Sequence, residues 1–252
     1  MNLTEVLPEH MDGILAISDI HAEYATMKRA VEYAERNYLY IVFLGDFVDG
    51  GSMPFETIEE VYSLLETNKA ASVIGNHDYK WYRAIRGSNV RMTDYMINTY
   101  WDVPVGQEDM FLEMYKAIYE HENTYYYLNY ADWYFAHAAV TDRVYDGEKM
   151  KKDELDRLMY GFTNGKRDHK GFPVRLYDWI DEIPQGNKIV VGHDRAPMGK
   201  TFDGKPEIIS GSNGGMAFFT DTGCGKRPDG TLTGLSLQFY DDELIFDKFV
   251  TF

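Results

Sequence analysis

Five short stretches of this chain carry side chains that can do polar chemistry. They are Asp19-Ile20-His21, Gly45-Asp46-Phe47-Val48-Asp49, Gly75-Asn76-His77-Asp78, His137 and Gly192-His193. Asp, Asn and His supply the oxygen and nitrogen donors that hold divalent transition metals. One such stretch alone says little, because Asp-x-His occurs by chance and a lone strand-end histidine more often satisfies a hydrogen bond. The set says more: four of the seven histidines fall in these places. A metal site needs several donors converging from separate rigid elements. In chain order this sequence offers Asp19, His21, Asp46, Asn76, His137 and His193.

The rigid elements are legible in front of each stretch. Apolar runs of strand length occupy 13–18, 40–44, 71–74, 133–136 and 188–191, and each runs directly into one of the polar stretches. Helix-compatible segments follow the first two strands, at 23–36 and 54–68, the second with Pro54 at its start. Continuous apolar strands alternating with helices predict a sheet buried on both faces. Ligands of such sheets bind outside the carboxyl ends of the strands, which is where the polar stretches sit. Further strands are expected at 216–219, 235–240 and 244–250. The last two form a hairpin through Asp241-Asp242-Glu243. Late antiparallel strands after two βα-rich halves predict a two-sheet sandwich with outer helices.

The segment 93–132 has a different character, with eight acidic residues, one lysine and ten aromatics. A helix over 108–122 carries the stripe Met110/Phe111, Met114/Tyr115, Ile118/Tyr119, which is read as a face packed on the core. This segment is expected to be a helical insertion within a single domain spanning 1–252.

Composition sets limits on partners. The 252 residues carry a net charge of −16, which argues against coating DNA or an anionic membrane. Cys224 is the one cysteine, so no internal disulfide forms. Glu5, Glu9 and Asp12 near the start do not read as a secretory signal. The longest apolar run, 38–44, is far short of the roughly 20 residues of a membrane helix. The expectation is a cytoplasmic protein with no membrane partner.

The order and local spelling of these motifs resemble the calcineurin-like metallophosphoesterase superfamily, over nearly the whole chain. Within it the chain is most similar to the phosphatase module of bacterial polynucleotide kinase–phosphatases, in the phosphoprotein-phosphatase-like branch. That narrower resemblance rests on Gly75-Asn-His-Asp-Tyr-Lys-Trp-Tyr-Arg83, and on Tyr160-Gly161 with Pro173-Val-Arg-Leu-Tyr-Asp-Trp179. It rests also on Phe219-Thr-Asp-Thr-Gly-Cys224 followed by Gly230-Thr-Leu-Thr-Gly-Leu235. The resemblance implies an α/β fold, a four-layer α/β-β/α sandwich with the helical insertion.

The resemblance further implies two divalent metal ions. Asp19, His21 and Asp46 would hold the first; Asp46 would bridge to the second, held also by Asn76, His137 and His193. Manganese is expected first, with iron, nickel or zinc equally compatible with these donors. A shared carboxylate holds two dications roughly 3.5–4 Å apart, a spacing suited to in-line displacement at phosphorus. His77 would be the general acid for the leaving oxygen and Asp49 would orient it; the alternative for Asp49 is a loop-capping carboxylate. The implied activity is hydrolysis of phosphate monoesters or cyclic diesters, of nucleotides or RNA ends. Protein phosphoserine/threonine and dinucleoside tetraphosphates are alternatives, and a non-catalytic binding module is the rival of another class. No Gly-x-x-x-x-Gly-Lys-Ser/Thr loop is present, so no kinase module is expected. Oligomeric state is open.

Three departures from the family pattern bear on substrate. Gly50 stands where relatives carry an arginine that grips phosphate oxygens, which implies a tilt toward diesters and predicts that arginine at 50 would favour monoesters. Asp194-Arg195 follow the last histidine in place of Thr and a second histidine. Ala138-Ala139 follow His137 where glycine is common. Arg83, Arg175 and Arg195, with Lys80 and Arg86, are candidate replacement grips, each also readable as solvated charge. Asp221 is a candidate for fixing a ligand histidine. Cys224 reads as a small residue near the site and not as a nucleophile.

Overall fold

The computed structural model describes residues 1–169, 171–241 and 243–252. In chain order the regular elements are β1 (Gly13–Ile17), α1 (Tyr24–Arg36), β2 (Leu39–Phe43), α2 (Pro54–Glu66), β3 (Ala70–Val73), α3 (Asn76–Ile85), α4 (Asp94–Asp102) and α5 (Glu108–Glu120). Then come β4 (Thr124–Tyr125), β5 (Tyr127–Tyr130), β6 (Trp133–Ala136), α6 (Arg143–Asp146), α7 (Lys152–Tyr160), β7 (Phe162–Arg167), β8 (Pro173–Leu176) and α8 (Asp178–Asp181). The chain finishes with β9 (Lys188–Val191), β10 (Glu207–Ser210), β11 (Met216–Phe219), β12 (Thr233–Tyr240) and β13 (Glu243–Thr251).

Two sheets carry the fold. One has the order β13-β12-β1-β2-β3-β4, parallel from β1 to β4; the other has the order β10-β11-β9-β6-β5, parallel across β11, β9 and β6. The late strands are antiparallel: β12 pairs with both β1 and β13. Tyr240 pairs with Glu243 across the expected hairpin, whose Asp242 lies outside the described residues.

Side-chain alternation along the strands produces four layers. Ile14, Ala16, Tyr40 and Val42 of the first sheet meet Trp133, Phe135, Val190 and Phe218 of the second in one core. The opposite face of the first sheet, Leu15, Ile17, Ile41 and Phe43, packs on Met27, Ile58, Val61 and Phe111 of the helices. The outer face of the second sheet, Ile189, Val191, Ala217 and Phe219, packs on Val144, Leu158 and Trp179. The order is thus helices, sheet, sheet, helices: the expected α/β-β/α sandwich. A strand buried on both faces must be apolar at every position, which is why these runs were so clear in the sequence.

The segment 93–132 contains helices α4 and α5, and then leaves the helical layer. Its strand β4 extends the first sheet and β5 the second. The stripe on α5 does face the core, through Phe111, Tyr115 and Ile118. The β7–β8 hairpin was not foreseen; its first strand is exposed over most of its length and has no apolar alternation to announce it.

Candidate metal centre

The carboxyl ends of β1, β2 and β3 in one sheet and of β6 and β9 in the other open on the same point. The backbone turns sharply as it leaves these strands. His21, Asp46, Asp49 and His193 all have left-handed conformations, with φ of 49°, 56°, 75° and 62°. Asp and His tolerate this region better than most residues, at about 1–3 kcal/mol each. The turn brings each side chain back over the strand end. A side chain at Gly75 would collide with the Asp46 carboxylate, so glycine there lets the β2 and β3 ends close together.

The six expected donors converge as two groups that share one member. Asp19, His21 and Asp46 form one; Asp46, His137 and His193 form the other. Within each group the ligand atoms lie within 4.8 Å of one another. Asn76 joins the second: His137 Nε2 lies 3.1 Å from Asn76 Oδ1, 3.1 Å from His193 Nδ1 and 3.5 Å from Asp46 Oδ2. In the first, His21 Nε2 is 3.8 Å from Asp19 Oδ2.

Backbone carbonyls set the ring orientations. His137 Nδ1 lies 2.6 Å from the Leu44 oxygen and His21 Nδ1 lies 2.7 Å from the Val48 oxygen. Each Nδ1–H therefore donates outward, and each Nε2 points inward. Asp19 Oδ1 accepts the His193 backbone N–H at 2.9 Å, which ties the β1 end to the β9 end across the two sheets.

Electrostatics favour a cation at the shared point. Burial, reinforced by Lys226 for His21 and by Arg175 for His193, holds both rings well below the usual histidine range, so both are neutral donors. Burial opposes ionisation of Asp46, but His137, His77 and His21 outweigh it and hold its carboxyl well below the usual range. Burial would also lower His137, yet Asp46 and Asp19 raise it to about 10. The metal-free pocket therefore captures a proton at His137, among acceptors that one proton cannot satisfy. Neutral imidazoles, a carboxamide oxygen and two carboxylates converging there fit divalent ions.

The chain matches the calcineurin-like phosphoesterase family over residues 13–221. It belongs to that family. Among curated relatives, a bis(5'-nucleosyl)-tetraphosphatase PrpE of Geobacillus sp. (strain WCH70) is 32% identical, covering 82% of this chain and 84% of the relative. The Bacillus subtilis (strain 168) protein of the same name is 28% identical, covering 70% of this chain and 77% of its own. The fold is shared with solved structures. A Saccharomyces cerevisiae protein serine/threonine phosphatase aligns with a TM-score of 0.57 at 16% identity, covering 100% of this chain and 82% of that one. A metallophosphoesterase from Sphaerobacter thermophilus aligns with a TM-score of 0.51 at 18% identity, covering 95% and 87%. This calcineurin-like phosphoesterase is thus a metal-dependent hydrolase, and its buried Asp and His groups are those of a divalent-metal site.

Beside the donors stands the expected pair. His77 Nδ1 lies 2.6 Å from Asp49 Oδ2, and His77 Nε2 lies 3.9 Å from Asp46 Oδ2. Asp49 is fully buried and its other oxygen accepts Trp81 Nε1–H at 2.8 Å and the Thr99 hydroxyl at 3.1 Å. It is therefore held against His77, and among the described residues no backbone N–H donates to its carboxylate.

The expected substrate and supporting residues are placed differently from one another. Arg83 is exposed, its guanidinium 5.7 Å from the Tyr79 ring centre. Arg175 lies 3.7 Å from Asp194, and Arg195 lies 3.8 Å from Asp221. Among the described residues Asp221 forms no hydrogen bond to a ligand histidine. It accepts the Gly223 N–H at 2.8 Å and faces Arg195, while the backbone carbonyls of Leu44 and Val48 orient the rings instead. Cys224 is buried, and burial pushes its thiol far up, so it is inert as expected. The substitution of arginine for Gly50 is blocked. A Cβ there would lie 2.6 Å from the Gly225 oxygen and 2.7 Å from His21 Cβ.

Four contributors were missed in the sequence. Asp78 is buried and accepts the Asp46, Phe47 and Gly75 backbone N–H groups at 2.7, 3.2 and 3.0 Å. Tyr115 of α5 donates to Asp78 at 2.7 Å. Thr99 and Trp81 hold Asp49. Asp78 and Trp81 sit in the Gly75–Arg83 stretch and Tyr115 in the α5 stripe, while Thr99 carried no signal; what each of them holds is not visible there, because they meet the loops only in three dimensions.

Proposed function

We propose that this chain hydrolyses nucleotide phosphates through a dinuclear centre, with dinucleoside tetraphosphates first among its substrates. The observation that carries the reading is the single carboxylate, Asp46, common to two donor groups and flanked by the His77–Asp49 pair. The names of the curated relatives support the nucleotide, and dinucleoside tetraphosphates are among the alternatives that the sequence leaves open. Asp19, His21 and Asp46 are assigned to one metal and Asp46, Asn76, His137 and His193 to the other, with manganese first. Because the two sheets each supply part of the set, the chain is read as one domain. A nucleotide substrate makes the cytoplasm the proposed location.

When bound, two dications polarise the phosphate and generate the water-derived nucleophile near neutral pH. The rest falls to the chain's own residues. Asp49 accepts from His77 Nδ1, leaving Nε2 as the nitrogen nearest the donors. His77 is partly exposed, so a substrate can reach it. In its protonated form it delivers the Nε2 proton to the oxygen leaving phosphorus. Water adds to phosphorus as the P–O bond breaks, and the leaving group departs protonated. With a tetraphosphate bridge the products are two nucleotides.

The test is a panel assay with Mn²⁺-loaded protein on diadenosine tetraphosphate, 2′,3′-cyclic nucleotides, p-nitrophenyl phosphate, its bis ester and a phosphopeptide. The expected result is the highest kcat/KM on diadenosine tetraphosphate, with ATP and AMP as products. A phosphopeptide turned over best would overturn the nucleotide reading.

A further inference from the structure

The backbone at Gly50 is closed by the loop that follows β11. Gly51 N–H donates to the His21 carbonyl at 2.5 Å, and Gly225 packs on the same place, its own Cβ position 2.5 Å from the His21 oxygen. No side chain can leave position 50 toward the substrate. The residue after Gly225 is Lys226, and it comes out beside the closed position.

Lys226 is half-buried. Its ammonium donates to the carbonyl of Asp49 and sits 4.0 Å from the ring centre of Tyr95, on α4. Among the described residues it forms no ion pair. The arginines near the site differ: Arg175 and Arg195 face carboxylates, and Arg83 is exposed. Lys226 also lies beside the centre: the Asp49 whose carbonyl it meets pairs with His77, and Gly225 just before it packs against His21, its Cβ position 2.7 Å from His21 Cβ. A half-buried cation costs desolvation unless something neutralises it. One carbonyl and one aromatic face neutralise it only partly, and two of its three N–H donors remain for an anion.

We propose that Lys226 is the cation that holds a terminal oxygen of the substrate phosphate, in place of an arginine at position 50. The assignment rests on the dinuclear phosphoesterase reading. Lys226 serves as a point charge and not a bidentate fork, so it fits a phosphate with one free oxygen to spare, as within a diester or a polyphosphate bridge. Tyr95 and the Asp49 carbonyl set its position, so the insertion contributes to substrate binding as well as to Asp49.

The experiment is binding of inorganic phosphate to Mn²⁺-loaded protein by calorimetry, with metal content measured on the same samples. Lys226→Gln keeps a donor for the Asp49 carbonyl and removes the charge; Lys226→Met removes both; Lys226→Arg keeps both. The expected result is a Kd for phosphate raised at least about tenfold in Lys226→Gln and Lys226→Met, and within about threefold of wild type in Lys226→Arg, with two metals retained throughout. If Lys226→Gln with two metals binds phosphate as wild type does, the side chain only pins the Asp49 carbonyl and the assignment falls. Should Lys226→Gln fail to fold, Lys226→Met decides by the same comparison, and should both fail while Lys226→Arg binds phosphate weakly, the assignment also falls. Wild-type protein with two metals that neither binds phosphate nor hydrolyses any ester would instead overturn the phosphoesterase reading beneath it.

Discussion

Thr99 and Asp49 hold each other twice: the Thr99 hydroxyl donates to Asp49 Oδ1 at 3.1 Å and accepts the Asp49 backbone N–H at 3.1 Å. Thr99 belongs to α4, so that helix is bolted to the residue that pairs with His77. Asp49 has a left-handed backbone and is fully buried, a conformation that persists only when its surroundings fix it. Thr99→Val has nearly the same shape and removes both bonds. It should cost about 1–3 kcal/mol in denaturant unfolding. It should also lower kcat on poor leaving groups several-fold, with metal content unchanged. Unaltered kcat with the expected stability loss would show that α4 supports the fold and not the acid.

Asp46 is the one residue common to both donor groups. Asp46→Asn removes a charge and one donor from each. Turnover should drop below about a tenth of wild type, a loss above ~1.4 kcal/mol, and bound metal should fall below two per chain. Retention of more activity than that, with two metals counted by elemental analysis, contradicts the bridging role.

A general acid matters in proportion to how badly the leaving group needs a proton. His77→Ala should therefore reduce turnover of a nucleotide or alkyl phosphate by roughly 10²–10⁴-fold. The loss on p-nitrophenyl phosphate should be far smaller. Equal losses on both would reassign His77 to metal binding or to structure, and its 3.9 Å approach to Asp46 makes that comparison informative.

Metal uptake should be pH-dependent with a defined sign. His137 in the metal-free protein is raised to about 10, so below that pH a cation must displace its proton. Apparent affinity should rise about tenfold per pH unit between about pH 7 and 9. Burial also raises Asp19 to about 6, so the dependence should steepen as pH falls through that value. Competition with a chelator across this range measures the slope. A flat profile would mean that His137 does not give up a proton to the metal.

The donor set was legible in the sequence because parallel strands buried on both faces are apolar throughout, and the first polar residue past each run marks a strand end. The stretches that hold Asp19, His21, Asp46, Asn76, His137 and His193 could be picked out on that ground, and their choice over Asp49, His77 and Asp78 came from family resemblance. Their division into two groups sharing Asp46 came from family resemblance, and the crossing of two sheets makes it physical: β1 and β9 lie far apart in sequence, yet Asp19 accepts from His193. What the sequence could not show is which polar residues hold the loops. Asp49 depends on Thr99 and Trp81, and Asp78 on Tyr115, through contacts 32 to 50 residues apart that no local pattern pairs. Gly50 could be seen as a departure, but not that Gly225 fills the space beside it, nor that Lys226 emerges there. Strand ends follow from local patterning, which a sequence displays directly. The fit of one loop against another is set by packing between distant segments, and only the folded chain decides it.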